Sequence, residues 1–100
     1  MRDILSRIPD RYSQDIKLAI EILKSEGCTE IYLFGSLAEG DYREESDIDL
    51  AVKGCPSDKF FHVLGKLLLK LNHKVDLVDL DRKDPFAEYL ISEGRLIHVS

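Results

Sequence analysis

The segment Asp47-Ile48-Asp49-Leu50-Ala51-Val52 sets the strongest limit on how this chain folds. Its apolar residues read as a buried strand from Asp47 to Lys53, yet it carries two carboxylates. Residues two apart on a strand face the same side, so Asp47 and Asp49 point together while Ile48 and Leu50 face the other way. Ionised carboxylates are costly in a core unless something positive meets them. The sheet holding this strand therefore needs an apolar face and a second face where a cation is met.

The rest of the chain supplies such a sheet. A helix starts at Ser13 or Asp15 and runs to Gly27, with Tyr12, Ile16, Ala19, Ile20 and Leu23 on one face and Leu18 and Ile22 on another side. Glu30 to Phe34 reads as a short buried strand punctuated by Gly35, and Leu37 to Gly40 as one helical turn. Asp41 to Ser46 is a charged loop. After the turn Gly54-Cys55-Pro56-Ser57, Ser57 or Asp58 caps a helix running to about Leu71. Its broad face, Phe60, Phe61, Leu64, Leu67, Leu68 and Leu71, is expected in the core, with Leu69 exposed unless a partner covers it. Lys74 to Leu80 is a third strand, and Asp79 to Asp84 adds a solvated loop. Asp84-Pro85 opens a last helix that stops at Gly94, and Arg95 to Val99 is a final strand. Strands alternating with helices make an α/β chain, a sheet of about four strands with helices packed on it. A length of 100 residues suits one domain spanning residues 1–100.

Composition narrows the function classes. Hydrophobic residues make up 44% and charged residues 33%, enough for a folded core. A net charge of −5 disfavours sequence-independent binding to nucleic acid, which depends on Lys and Arg neutralising phosphates. No apolar run approaches the roughly 20 residues that span a bilayer, and the first residues lack a signal-peptide core, so a cytoplasmic protein is expected. Cys28 and Cys55 fit no metal-knuckle pattern and are expected as two reduced thiols. His62, His73 and His98 lack metal-ligand spacing and are expected at the surface or at strand ends.

Two like charges as close as Asp47 and Asp49 raise each other's pKa unless a cation is present. A hard divalent ion such as Mg²⁺, held by one or two carboxylates together with substrate phosphates, resolves the repulsion. In "KVDLVDL" of the third strand, Asp76 offers another carboxylate, while Asp79, three residues on, faces the opposite side. Asp47, Asp49 and Asp76, three strand carboxylates converging on one edge, are candidate ligands of two metal ions for an in-line displacement at phosphorus. Gly35 lets backbone approach a phosphate closely, and Ser36 offers an N–H and a hydroxyl to an anion. Each feature alone is weak. Their order, strand, Gly-Ser, ten residues, D-x-D in a second strand and an Asp in a third, points to a metal–nucleotide site.

With these residues in view, "FGSLAEGDYREESDIDLAV" resembles the signature of the DNA polymerase β-like nucleotidyltransferases, and more narrowly the minimal nucleotidyltransferase (MNT) domains. "KVDLVDL" and "ISEGRLIHV" extend the resemblance over nearly the whole chain. It implies a mixed sheet with flanking helices, Mg²⁺, and ATP as nucleotide donor. It places the triphosphate on Gly35 and Ser36, metal on Asp47 and Asp49, and Asp76 as the carboxylate that completes the site and orients or deprotonates an acceptor hydroxyl. The family commonly reads Gly-Ser-x-Ala-Arg-Gly, whereas position 39 here is Glu, and Arg43 is a candidate substitute for the missing cation. Larger relatives carry extra domains for the acceptor. This chain stops after its last strand, so another chain is expected to present the acceptor. MNT proteins often pair with a helical HEPN protein, which implies transfer of AMP to a tyrosine of a HEPN toxin. The alternative is an MNT-like subunit that neutralises its partner by docking alone. Leu18 and Ile22, with Leu69, suggest a surface for that partner or for a second copy.

Overall fold

The computed structural model describes residues 4–40 and 47–100. Its helices are α1 (Asp10–Ser25), α2 (Gly35–Glu39), α3 (Phe60–Lys70) and α4 (Pro85–Ser92), and its strands are β1 (Glu30–Phe34), β2 (Ile48–Lys53), β3 (Val75–Asp79) and β4 (Ile97–His98). The four strands form one mixed sheet in the order β3-β2-β1-β4. β1 runs antiparallel to β2 and β4, and β2 runs parallel to β3. The expected α/β architecture of about four strands is therefore the observed one. Among the described residues no helix is long and apolar enough to cross a membrane.

Alternation along the strands divides the interior in two. Ile31 and Leu33 of β1, Ile48, Leu50 and Val52 of β2, and Val75 of β3 face a large core closed by α1 and α3. Tyr12, Ile16, Ala19 and Leu23 supply the α1 side of that core, and Val63, Leu67 and Leu71 supply the α3 side. Tyr32 and Phe34, Ala51 and Val78 face the other way, where a smaller cluster forms around Leu80 and Leu90 of the α4 side. Asp49 of β2 and Asp76 of β3 share the parity of Ala51 and Val78, so they lie on this thinner face.

Element ends moved from their expected places for local reasons. The first helix begins at Asp10 because the carbonyl of Pro9 accepts from the N–H groups of Tyr12 and Ser13. α2 starts at Gly35 itself, and β2 starts at Ile48, leaving Asp47 just ahead of the ladder. A 3-10 turn over Ser57–Lys59 delays α3 to Phe60. The last strand is shorter than Arg95 to Val99, although Val99 and Ser100 still bond to Ile31.

Three expectations are corrected. Cys28 and Cys55 are not two free thiols but one disulfide. The β1–β2 register explains it: Glu30 pairs with Lys53, so two further steps outward set residue 28 opposite residue 55. The broad α3 face is also narrower than its composition suggests. Phe61 is 73% exposed and Leu68 51%, because the buried stripe runs through Val63, Leu67 and Leu71 at i, i+4 and i+8. On α1, Leu18 is exposed as expected, but Ile22 packs against the core. Leu69 is the most exposed large apolar side chain among the described residues.

His73 is half-buried at the end of the turn that leads into β3, a strand-end position. Its ring packs 4.4 Å from that of Tyr12, and its Nδ1 lies 2.7 Å from Oδ2 of Asp15. The buried Asp15 carboxylate also accepts from the N–H groups of Asn72 and His73. A buried carboxylate must find partners, and here they are supplied by the turn that leads from α3 into β3. That tie between α1 and the turn fixes where β3, and with it Asp76, begins.

Candidate active site

β2 is the strand from which the site is built. Asp49 stands opposite Asp76 on the parallel ladder and opposite Phe34 on the antiparallel one. Asp49 is partly buried, whereas Asp47 and Asp76 are exposed at the rim. Burial, followed by the neighbouring charges of Asp76 and Asp47 and a hydrogen bond with Asp76, pushes the Asp49 carboxyl up to about 6. Asp79 lies on the far side of β3, buried, with its Oδ1 accepting from the N–H of Asp81. The alternation read from the sequence thus brings Asp49 and Asp76 together and sends Asp79 away.

Gly35 packs directly on this group. A Cβ at position 35 would lie 2.1 Å from Oδ2 of Asp49, and the residue sits at a φ of +77°. Any other side chain would collide with the carboxylate and strain the backbone. Leu37, 2% exposed, plugs α2 into the large core, and Gly40 ends the helix in a left-handed conformation. These anchors hold the backbone of Gly35 and Ser36 beside Asp49, with the Ser36 side chain half-buried.

Among the described residues, no three His, Cys, Asp or Glu side chains form a ready-made metal cage. The geometry offers instead a carboxylate pair, Asp49 and Asp76, with Asp47 alongside. All the donors are hard oxygens, which suits Mg²⁺, an ion that needs few protein ligands when phosphates supply the rest. Burial first, and then the charges of Asp76 and Asp47, make the ionised Asp49 carboxylate costly. A divalent ion fits that charge and that donor set.

A cavity of about 280 Å³ adjoins the cluster on the β1 side. It is lined by Phe34 of β1, Gly35 and Glu39 of α2, Phe86 and Tyr89 of α4, and Glu93 just past the end of α4. Arg95 also lines it. Sequence reading did not single out these residues of α4 and its C-terminal end. The signal was present as two aromatic residues three apart, a spacing that puts both on one helix face, with an acid four further on. Glu39 occupies the place where the resembled motif has Arg. Arg43, the candidate substitute, lies outside the described residues.

Comparisons with known proteins agree with this geometry. Residues 16–100 match the family described as Polymerase beta, Nucleotidyltransferase. A Methanocaldococcus jannaschii protein named as a protein adenylyltransferase is 37% identical over 94 residues, spanning 83% of this chain and 94% of that protein. A chain in a crystal structure of a toxin–antitoxin with AMP-PNP superposes with a TM-score of 0.63 at 30% identity, covering 82% of this chain and 70% of that one. Another is found in the complex of a tri-AMPylated Shewanella oneidensis HEPN toxin with MNT antitoxin, with a TM-score of 0.57 and 26% identity over 86% of this chain and 70% of that one.

Proposed function

Because this chain belongs to the polymerase β nucleotidyltransferase family, we propose that it transfers AMP from ATP to a tyrosine hydroxyl of a HEPN partner and thereby acts as an antitoxin. The observation that carries the reading is the rung on which Asp49 faces Asp76, with the backbone of Gly35 against the Asp49 carboxylate. The names of the similar proteins support it: one is a protein adenylyltransferase, another sits in a complex with a tri-AMPylated HEPN toxin.

The roles follow from position. Gly35 and Ser36 hold the β- and γ-phosphates with backbone N–H groups and the Ser36 hydroxyl. Asp47 and Asp49 would hold Mg²⁺ beside the triphosphate, and Asp76 stands on the side from which the acceptor arrives. Bound there, the metal supplies positive charge to the phosphate oxygens as they gain negative charge. Asp76 takes the proton of the tyrosine hydroxyl. The phenolic oxygen forms a bond to the α-phosphorus, the bond from that phosphorus to the bridging oxygen breaks, and pyrophosphate leaves.

The test is incubation of the full chain with Mg²⁺, ATP labelled at the α-phosphate, and the product of the neighbouring gene as candidate partner. Label on the partner, absent with Asp49→Asn, is the expected result. A partner that binds but stays unlabelled with the intact chain would make this a docking subunit and not a transferase.

A further inference from the structure

We propose that the cavity between α2 and α4 receives the base of the donor nucleotide and that Glu93 selects bases carrying an exocyclic amine. The inference rests on the nucleotidyltransferase reading above and specifies its donor subsite.

Position comes first. The sheet order places Asp76 on one side of Asp49 and Phe34 on the other. An acceptor activated by Asp76 therefore approaches from β3, and the cavity opens on the opposite side, toward β1 and β4. Gly35 belongs both to the carboxylate cluster and to the cavity lining. A group tethered to phosphates at Gly35 can reach the cavity without crossing the acceptor's path.

The lining then narrows the occupant. Phe34 and Phe86 meet edge-on at 6.2 Å and 64°. Phe86 is 52% exposed and Tyr89 55%, so their rings present free aromatic surface at the opening. Such faces accept stacked bases of any sequence. At about 280 Å³ the space falls near the lower end of the roughly 300–1,000 Å³ usual for ligand pockets, enough for one ring system and too small for a whole nucleotide.

Charge decides which ring. Glu39 and Glu93 contribute two carboxylates and Arg95 one guanidinium, a balance that disfavours a phosphate or carboxylate occupant. An ionised carboxylate only accepts hydrogen bonds. The side-chain carboxylates of Glu39 and Glu93 have no hydrogen-bond or ion-pair partner among the described residues, although the Glu93 N–H donates to the carbonyl of Tyr89. Glu39 stands beside Gly35, next to the phosphates. Glu93 caps the C-terminus of α4 four residues beyond Tyr89 and lines the same cavity, and in this proposal its carboxylate meets the edge of the stacked ring. Adenine offers an N6 amine to it, whereas hypoxanthine places a carbonyl, which the carboxylate repels, at that same position and keeps its donor on the ring at N1.

The experiment is calorimetric titration of the full chain in Mg²⁺ with ATP, ITP, purine riboside triphosphate and inorganic tripolyphosphate. ATP is expected to bind about tenfold more tightly than purine riboside triphosphate, the worth of one hydrogen bond to a charged group, and more tightly still than ITP. Tripolyphosphate, which stops short of the cavity, measures the phosphate cradle alone. Glu93→Gln is expected to narrow the gap between ATP and ITP to less than about threefold, because an amide both donates and accepts. Phe86→Ala is expected to weaken all three nucleotides and leave tripolyphosphate unchanged. Both side chains are exposed, so neither variant removes core packing. Equal affinities for ATP, ITP and tripolyphosphate overturn the base subsite while leaving the phosphate site standing. So does an ATP preference that Glu93→Gln leaves intact, as would happen if the cavity took an aromatic side chain of the acceptor protein. Failure of tripolyphosphate and every nucleotide to bind overturns the nucleotidyltransferase reading itself.

Discussion

The two faces of the sheet are built to different ends. The face toward α1 and α3 is packed with Ile31, Leu33, Ile48, Leu50 and Val52, all fully buried. The face toward α4 has, among the described residues, a small cluster of Ala51, Leu80 and Leu90 with partly buried neighbours, and it gives the rest of its area to Asp49, Asp76 and an open cavity. The first face spends its area on removing apolar surface from water, which stabilises the fold. The second keeps carboxylates close together, which costs stability until a cation arrives. In 100 residues a fold can support an electrostatically strained site only if the opposite face holds the sheet rigid behind it.

The sharpest way to separate the faces is Asp49→Asn. We expect transfer to fall by about 10³-fold or more, on the order of 4 kcal/mol of barrier, through loss of charge aimed at the reacting phosphate. The melting temperature of the metal-free protein should hold or rise, since a like charge has been removed. Labelled-AMP transfer and a thermal melt on the same preparation check both halves. A sharp drop in the melt would make Asp49 a structural residue and dissolve the contrast.

Truncations on the two apolar clusters come next. Leu33→Ala empties a site that is fully enclosed and should cost about 3–4 kcal/mol. Leu90→Ala borders the cavity, where neighbours and water can move in, and should cost about 2 kcal/mol. Urea unfolding of both variants measures the difference. Equal losses would mean that the α4 face is as tightly closed as the other.

A smaller effect should appear in pH dependence. The folded-state pKa of Asp49, about 6, lies above its ordinary value of 3.8. The native state therefore holds this proton more tightly than the unfolded chain. Its contribution is complete below about pH 4 and is lost as pH rises through 6, amounting to about 1–2 kcal/mol once solvent screening is allowed for. Metal-free protein should lose that much more stability between pH 4 and 7 than Asp49→Asn does. Melts of the two proteins across this range, compared pairwise, isolate the group.

The smallest effect belongs to Asp79. Asp79→Ala removes the acceptor for the Asp81 N–H and should cost about 1 kcal/mol with transfer largely retained. Asp76→Ala, three residues away on the other face, should abolish transfer. If the two exchanged phenotypes, the register of β3 would be off by one residue, which turns every side chain over.

Much of this was legible in short stretches of chain. The period of two in Ile48 to Val52 already divided that strand into an apolar face and a carboxylate face. The same rule separated Asp76 from Asp79, and the Gly-Ser pair marked where backbone would come close to a charged group. These features depend on neighbours a few residues apart, and local periodicity encodes them. Other features depended on registers and loop lengths that no local pattern carries. Cys28 meets Cys55 across 27 residues because β1 and β2 pair with one particular offset. Asp15 finds the His73 turn across 58 residues because α1 crosses the end of α3 there. Phe61 and Leu68 read as core from their hydrophobicity, but α1 and the sheet cover only a narrow stripe of α3. The cavity joins β1, α2 and α4, elements as much as 50 positions apart, so its aromatic and acidic walls exist only once the sheet has set their distances. Side-chain character and strand alternation fixed which residues could act, and packing of distant elements on one sheet decided which of them meet.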